Sequence, residues 1–373
     1  MKIGANQRQS QGFSAFIPEH FPPKSGWNLS PPLLQKGIKA TQLIGKLDGI
    51  TQLLPDIDFF LLMYIRKDAA DSSQIEGTRA TLADAIAAEA NVDSNLPDDV
   101  DDILHYIDAL NYGHERLEQF PLSIRFIKEL HKELMTEARS NHHSNPGEFR
   151  TSQNWIGGTS PSNAAFVPPP PHEINRTLGD LENFMRKESY INPLIKIALI
   201  HAQFETIHPF LDGNGRTGRL LITFCLSLSE LLERPVLFLS SFFQENKKLY
   251  YEKLQGYRDN EVEQWIDFFL DGIIDTAEEA ISTVRQITHI REEDILKIQS
   301  LGKRESESSI KVLPRLFGLP IVNAAKIQEW TGFTRAGAGK VIKRFVELGI
   351  LEQRNKNEKY SHSYIYRKYF DVF

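Results

Sequence analysis

The chain has 373 residues, 41% of them hydrophobic and 25% charged, with a formal net charge of −6. That length exceeds what one ordinary core encloses, so two or three domains are expected, and the balanced composition excludes disordered and collagen-like classes. The negative balance excludes whole-molecule attraction to nucleic acid or to an anionic membrane, while leaving a local basic patch open.

Residues 1–32 are rich in Pro, Gly and Ser and predict an irregular arm, with Pro18, Pro22, Pro23, Pro31 and Pro32 as breakers. The first sixteen residues lack the apolar run of a secretory signal. Helical periodicity takes over from 33 to about 91, with Phe59, Leu62, Met63 and Arg66 on one helix running into 71–77. Helices follow at 98–120 and 123–137, the second with Ser123 as N-cap. Residues 139–171 break the pattern with Asn145-Pro146-Gly147, Gly157-Gly158 and the run Pro168 to Pro171. Segments 154–156 and 165–167 can pair there as a small hairpin. Helices resume at 172–187, 193–206, 216–233, 247–255 and 261–300. His131 and the pair His142-His143 lack a second ligand cluster and read as solvated surface. Phe242-Phe243 and Phe268-Phe269 read as core. No stretch reaches the roughly 18–20 apolar residues that span a bilayer. The single cysteine, Cys225, predicts a buried helical thiol without an intrachain disulfide, and a cytoplasmic protein is expected.

The tail predicts a helix at 323–330, a tight turn at 331–333, a helix at 334–348, and extended pieces at 350–354 and 363–367. That order is a winged helix-turn-helix. Residues 334–373 hold nine Lys or Arg against four acids, a local +5 (9 − 4) in a chain of net −6. Arg335, Lys340, Lys343 and Arg344 fall on the second helix and suit contact with DNA phosphates; docking to protein is the other use of such a module.

The densest chemistry lies at 208–219, His-Pro-Phe-Leu-Asp-Gly-Asn-Gly-Arg-Thr-Gly-Arg. Gly213 and Gly215 free the backbone to turn N–H groups toward one point, and the helix that starts near Arg216 adds its positive end. Arg216 and Arg219, three apart, can grip successive phosphates. Asp212 stands where a carboxylate holds Mg²⁺ on those phosphates, and His208 can take a proton near neutral pH. Residues 213–219, Thr217 and Gly218 included, form the phosphate cradle. The run Gly213 to Gly218 also fits a dinucleotide loop, but no apolar strand precedes it. An EF-hand fails because Phe210 takes its first ligand position, and an ordinary helix cap does not account for so many polar or glycine positions together.

This segment resembles the Fic family signature, His-Pro-Phe-x-Asp/Glu-Gly-Asn-Gly-Arg-x-x-Arg, at every fixed position, and the similarity runs from about 115 to 275. The resemblance implies a mainly α fold: a Fic helical bundle with a small β-hairpin flap, here followed by the winged helix. It implies AMP transfer from ATP, with Mg²⁺, to a Ser, Thr or Tyr hydroxyl of a protein, the chain itself among the targets. His208 is then the base, Asp212 the metal ligand, and Gly213, Asn214, Gly215, Arg216 and Arg219 the phosphate holders. The hairpin at 154–167 resembles the flap that aligns the target as an added strand. Gln203, Asn246, Tyr250 and Tyr251 match positions near the nucleotide and its adenine. Ser72-Ser73-Gln74-Ile75-Glu76-Gly77 resembles the family's inhibitory motif, in which Glu76 would pair with Arg219 where a γ-phosphate belongs. Family relatives often form homodimers and can run AMP removal too. The expected units are 1–110 with the inhibitory motif, 111–300 with the catalytic site, and 301–373 as the winged helix. The alternative is a DNA-binding regulator whose Fic site senses nucleotide.

Overall fold

The computed structural model describes residues 2–24, 26–52, 54, 57–93, 95–136, 145–187, 190–354 and 362–373; His142 and His143 lie outside them. The N-terminal arm is more regular than its composition predicted. Strands β1 (Gly4–Arg8) and β2 (Ser14–Pro18) pair antiparallel, Gly4 opposite Pro18. Tertiary partners supply what the arm's own sequence lacks. The Phe16 N–H donates to Val167 O at 2.9 Å, the Phe16 ring meets Phe166 at 5.9 Å, and the Ile3 N–H donates to Asn260 Oδ1 at 2.7 Å.

The stretch predicted as helical from 33 to 91 resolves into α1 (Pro31–Thr51), α2 (Ile57–Ile75) and α3 (Leu82–Glu89). Proline opens α1, and Thr81 with Asp84 makes a capping box for α3. Then come α4 (Val100–Leu117) and α5 (Ile124–Met135), the latter capped by Ser123 as expected. Between α5 and α6 (Ile174–Arg186), the hairpin expected at 154–167 is reduced to an isolated antiparallel bridge, Ile156 opposite Phe166.

Two helices form the centre. In α7 (Pro193–Ile207) and α8 (Asn214–Leu228) nearly every residue is buried, so neither has a polar face to show water. Around them pack α9 (Ser240–Glu245), α10 (Lys247–Arg258) and the 38-residue α11 (Val262–Gln299). Cys225 is buried on α8, as expected. Phe243, Phe268 and Phe269 are core as predicted, with Phe242 partly buried beside them.

After α12 (Lys303–Ile310) and α13 (Leu313–Gly318), a short strand β3 (Ile321–Val322) appears that the sequence did not announce. Asn323 caps α14 (Ala324–Thr331), Gly332 closes it at φ 69°, and Thr334 caps α15 (Arg335–Glu347). The extended pieces contract to β4 (Glu352–Gln353) and β5 (Tyr364–Ile365), and a last turn of helix, α16, covers Arg367–Phe370. The sheet order is β3-β5-β4. Arg344 does not join the exposed basic face expected of α15: its guanidinium donates to Ser308 Oγ and Ser309 Oγ at 3.0 Å each and pairs with Glu305.

This last unit is fastened to α2. Arg66 holds Glu89 through two bonds of 2.7 and 2.6 Å and donates to Gly318 O at 2.5 Å. Phe373 packs edge-on against Tyr64, ring centroids 5.2 Å apart. Among the described residues, no helix is long and apolar enough to cross a membrane.

Candidate active site

Helix α7 ends at His208, which takes a left-handed φ of 49° while its N–H still bonds Phe204 O at 2.9 Å. Few non-glycine residues sit there, and Arg150 braces the turn. Its Nε donates to His208 O, and its backbone N–H to Pro209 O, both at 2.9 Å. Gly213, at φ 74°, opens α8 two residues earlier than predicted. Asn214 staples the turn, its Nδ2 donating to Phe210 O and its Oδ1 accepting from the Phe210 N–H, both at 2.9 Å. Thr217 Oγ1 donates to Gly213 O at 2.8 Å. The side chains of Asn214 and Thr217 thus build the loop from inside, leaving backbone N–H groups at its mouth.

Gly215 is helical, so its lack of a side chain serves proximity and not φ. A Cβ there would lie 2.1 Å from Glu76 Oε1. Glu76 follows the last turn of α2, where Gly77 swings away at φ 102°. Its carboxylate therefore rests at the N-terminus of α8, where the helix presents its positive end. Arg219 grips it: Nη2 donates to Glu76 Oε1 at 2.7 Å and to Ser72 O at 2.9 Å, and Nε to Ser72 Oγ at 2.8 Å. Arg219 is only 3% exposed. Burial works against its charge, but Glu76 outweighs that and raises its pKa.

Arg216 has a carboxylate of its own. Its Nη1 lies 3.5 Å from Asp102 Oδ1 on α4, and its buried Nε has no partner. Asp102 Oδ2 also accepts from Thr78 Oγ1 at 3.0 Å, and Asp99 takes the N–H groups of Arg79 and Ala80 at 2.8 and 3.1 Å. The first turn of α4 thus fixes the loop that follows Glu76. Glu76, Thr78, Asp102, Asp212 and Arg216 line one cavity of about 800 Å³, which brings the expected metal ligand together with Arg216, whereas Arg219 and His208 are not among its lining residues. Asp212 is exposed at its rim, with one oxygen accepting the Gly213 N–H at 2.6 Å.

His131 is not solvated surface, as its sequence context suggested, but 1% exposed and stacked on Phe210 at 3.7 Å. The Gly147 N–H donates to its Nδ1, so Nε2 carries the hydrogen that meets Asp212 O at 3.0 Å. The four residues expected near the nucleotide divide. Gln203 is buried and accepts from Tyr257 OH at 3.1 Å. Tyr250 is buried and donates to His201 Nε2 at 2.8 Å. Packing accounts for both without a nucleotide. Asn246 is half-buried, its Nδ2 donating to Phe242 O at 3.0 Å, and Tyr251 is 43% exposed.

Sequence reasoning passed over Arg150, Asp102 and Glu205. The first two reach His208 and Arg216 across 58 and 114 positions of chain, and neither has a local signal. Glu205 had one, its place three residues before His208 on the same helical face. His208 Nδ1 lies 3.7 Å from Glu205 Oε2. Burial pushes the Glu205 carboxyl up, yet His208, His201 and Arg219 together hold it at about 2.

A histidine ending one buried helix and a glycine turn opening the next define a helical bundle with an anion site at its centre. The sequence models described as "Fic/DOC family" and "Fic/DOC family N-terminal" match residues 121–226 and 34–115. The chain belongs to the Fic/DOC family. It is 30% identical over 210 residues to the protein adenylyltransferase Fic of Drosophila erecta, a match covering 53% of this chain and 38% of that relative. The chain thus spans well under half the length of the curated relatives it matches. A Fic family protein from Desulfovibrio desulfuricans superimposes with a TM-score of 0.57 at 19% identity, covering 91% of this chain and 97% of that one. A Fic-domain signaling protein from Bacteroides thetaiotaomicron gives 0.56 at 20% identity over 66% and 96%. These likenesses show the fold.

Proposed function

We propose that the protein transfers AMP from ATP to a Ser, Thr or Tyr hydroxyl of a protein, with Glu76 as an internal restraint. One observation carries this reading: the start of α8 is an anion site already filled by a carboxylate, and only residues 209–212 separate its cap, Gly213, from the His208 that ends α7. A γ-phosphate competing for Arg219 must displace Glu76. Arg216 would take a second phosphate, and the N–H groups behind Gly213 a third. His208 Nε2 would accept the target's proton as its oxygen bonds the α-phosphorus. The bond from that phosphorus to the bridging oxygen breaks, and pyrophosphate leaves with the electron pair. The flap at 154–167 would present the target backbone.

Mg²⁺ fits the donor set. Among the described residues no group of three or more His, Cys, Asp or Glu converges on a metal site, and Mg²⁺ is commonly bound by one or two carboxylates plus substrate phosphates. Asp212 would hold it, and its contribution is neutralising phosphate charge. ATP labelled at the α-phosphate tests the proposal. Label should appear on protein, more of it with Glu76→Gly, and disappear with His208→Ala while ATP still binds. Absence of label in both the parent and the Glu76→Gly variant refutes it.

The C-terminal unit supports a second role. A helix-turn-helix backed by a three-stranded sheet has winged-helix connectivity, and Arg335, Lys340 and Lys343 are exposed on α15. We infer DNA contact through that face. Binding that does not weaken with added salt would count against it.

A further inference from the structure

Glu205 is a buried carboxylate, 5% exposed, standing directly behind the reacting histidine. Its Oε1 has no hydrogen-bond partner, and neither has His208 Nδ1. The contact between them runs through the other oxygen: His208 Nδ1 lies 3.7 Å from Glu205 Oε2, inside ion-pair range and just beyond a hydrogen bond. A buried carboxylate and a buried ring nitrogen that both lack hydrogen-bond partners are costly unless the two groups serve each other. Gly218 makes the arrangement feasible: a Cβ there would lie 2.5 Å from Glu205 Oε1. The glycine of the Arg-Thr-Gly-Arg run is thus the space in which this carboxylate sits.

The other charged or titratable groups around the pair have their own partners. His201 on α7 donates from Nδ1 to Gly218 O at 3.0 Å and accepts from Tyr250 of α10. Arg258 on α10 donates to the Glu205 main-chain oxygen at 3.2 Å, not to its carboxylate. Arg219 on α8 is held by Glu76 and Ser72. Arg150 holds the His208 carbonyl. The carboxylate is therefore left for His208.

We propose that Glu205 is a positioning residue for His208. It accepts the Nδ1–H, which leaves the Nε2 lone pair directed at the target hydroxyl, and it stabilises the imidazolium formed when that proton arrives. The logic is that of a carboxylate behind the base in a hydrolase triad. The inference rests on the proposed AMP transfer for its consequence, though not for its first test.

That first test needs no turnover. Nitrogen-15 spectra of the histidine rings, assigned with His208→Gln, should show His208 as the Nδ1–H tautomer in the parent protein. Glu205→Gln should move its titration to lower pH, because the imidazolium loses its counter-charge. An Nε2–H tautomer in the parent, or a titration that does not move, overturns the proposal even if AMP transfer is confirmed. Should the Gln variant not fold, Glu205→Asp replaces it, and the parent tautomer alone still decides. Kinetics in a Glu76→Gly background follow. Glu205→Gln should lower kcat by about 10- to 100-fold, the range for losing a partner that orients a ligating histidine, and less than the roughly 10⁴-fold of a hydrogen-bonded triad because the two groups stand 3.7 Å apart. The acid limb of the profile should move the same way as the spectra, with ATP affinity within twofold. A parallel loss of ATP affinity would mean a merely structural role.

Discussion

Removing the Glu76 carboxylate should speed nucleotide use while loosening the protein itself. The pair with Arg219 spans 2.7 Å, with Arg219 buried and the Glu76 side chain 37% exposed. A hydrogen bond between charged groups contributes about 1.5–3 kcal/mol, and solvent at the carboxylate end argues for the lower figure. At about 1.4 kcal/mol per factor of ten, an ATP that must displace Glu76 binds productively about tenfold less well than it otherwise would. Glu76→Gly should therefore raise initial AMP transfer at subsaturating ATP about tenfold. Glu76→Gln should raise it less, since its bulk still overhangs Gly215. Without nucleotide the same variants leave a buried guanidinium short of its anion. Melting should drop by about 2 °C, the scale of 1.5 kcal/mol in a chain this long, and recover with Mg·ATP. Labelled transfer and thermal scans on the same preparations provide the check. Variants that melt lower yet neither bind ATP more tightly nor transfer faster would show that Glu76 is only a structural partner of Arg219.

Asp102→Asn should tighten ATP binding about threefold, because a 3.5 Å, partly exposed pair with Arg216 contributes about 0.5–1 kcal/mol. Its effect should not add to that of Glu76→Gly, since Asp102 also holds Thr78; additive titration calorimetry results would contradict the shared-loop account. Gly113→Ala places a Cβ 2.1 Å from Phe224 Cζ between α4 and α8 and should cost about 1–3 kcal/mol by denaturant titration; an unchanged midpoint rules that packing out. Burial holds His201 down at about 4, so the unfolded chain takes up its proton first as pH falls from the ordinary 6.5. Stability should decline between pH 6.5 and 4 and be indifferent to this group above 6.5. His201→Gln should show a shallower decline there, and an identical slope would remove His201 as the cause.

What the sequence disclosed was whatever local spacing carries. The helices at 193–206 and 216–233, the Ser123 cap and the tight turn at 331–333 are written in periodicity and in capping and turn residues. The link from Glu76 to Arg219 was legible only by resemblance, because 143 positions separate them. Long-range architecture was silent. The N-terminal hairpin exists because Val167 and Asn260 offer its backbone partners, and its proline-rich composition concealed that. His131 was misplaced for a similar reason: a histidine on a helix face betrays neither Phe210 beneath it nor the carbonyl that fixes its tautomer. Gly215 and Gly218 were identified as chemistry-bearing, yet both act by the absence of a Cβ, one for Glu76 and one for Glu205.

Helix α2 ties two distant parts of the molecule together. Near its middle Tyr64 and Arg66 receive Phe373 and the Gly318 carbonyl; at its C-terminal end Ser72 and the following Glu76 meet Arg219. A shortened protein made to study the anion site by itself would strip the cover from that middle stretch. Kinetics recorded on such a fragment would describe a glutamate resting on a differently supported beam, so comparisons of restrained and released activity belong on the 373-residue chain.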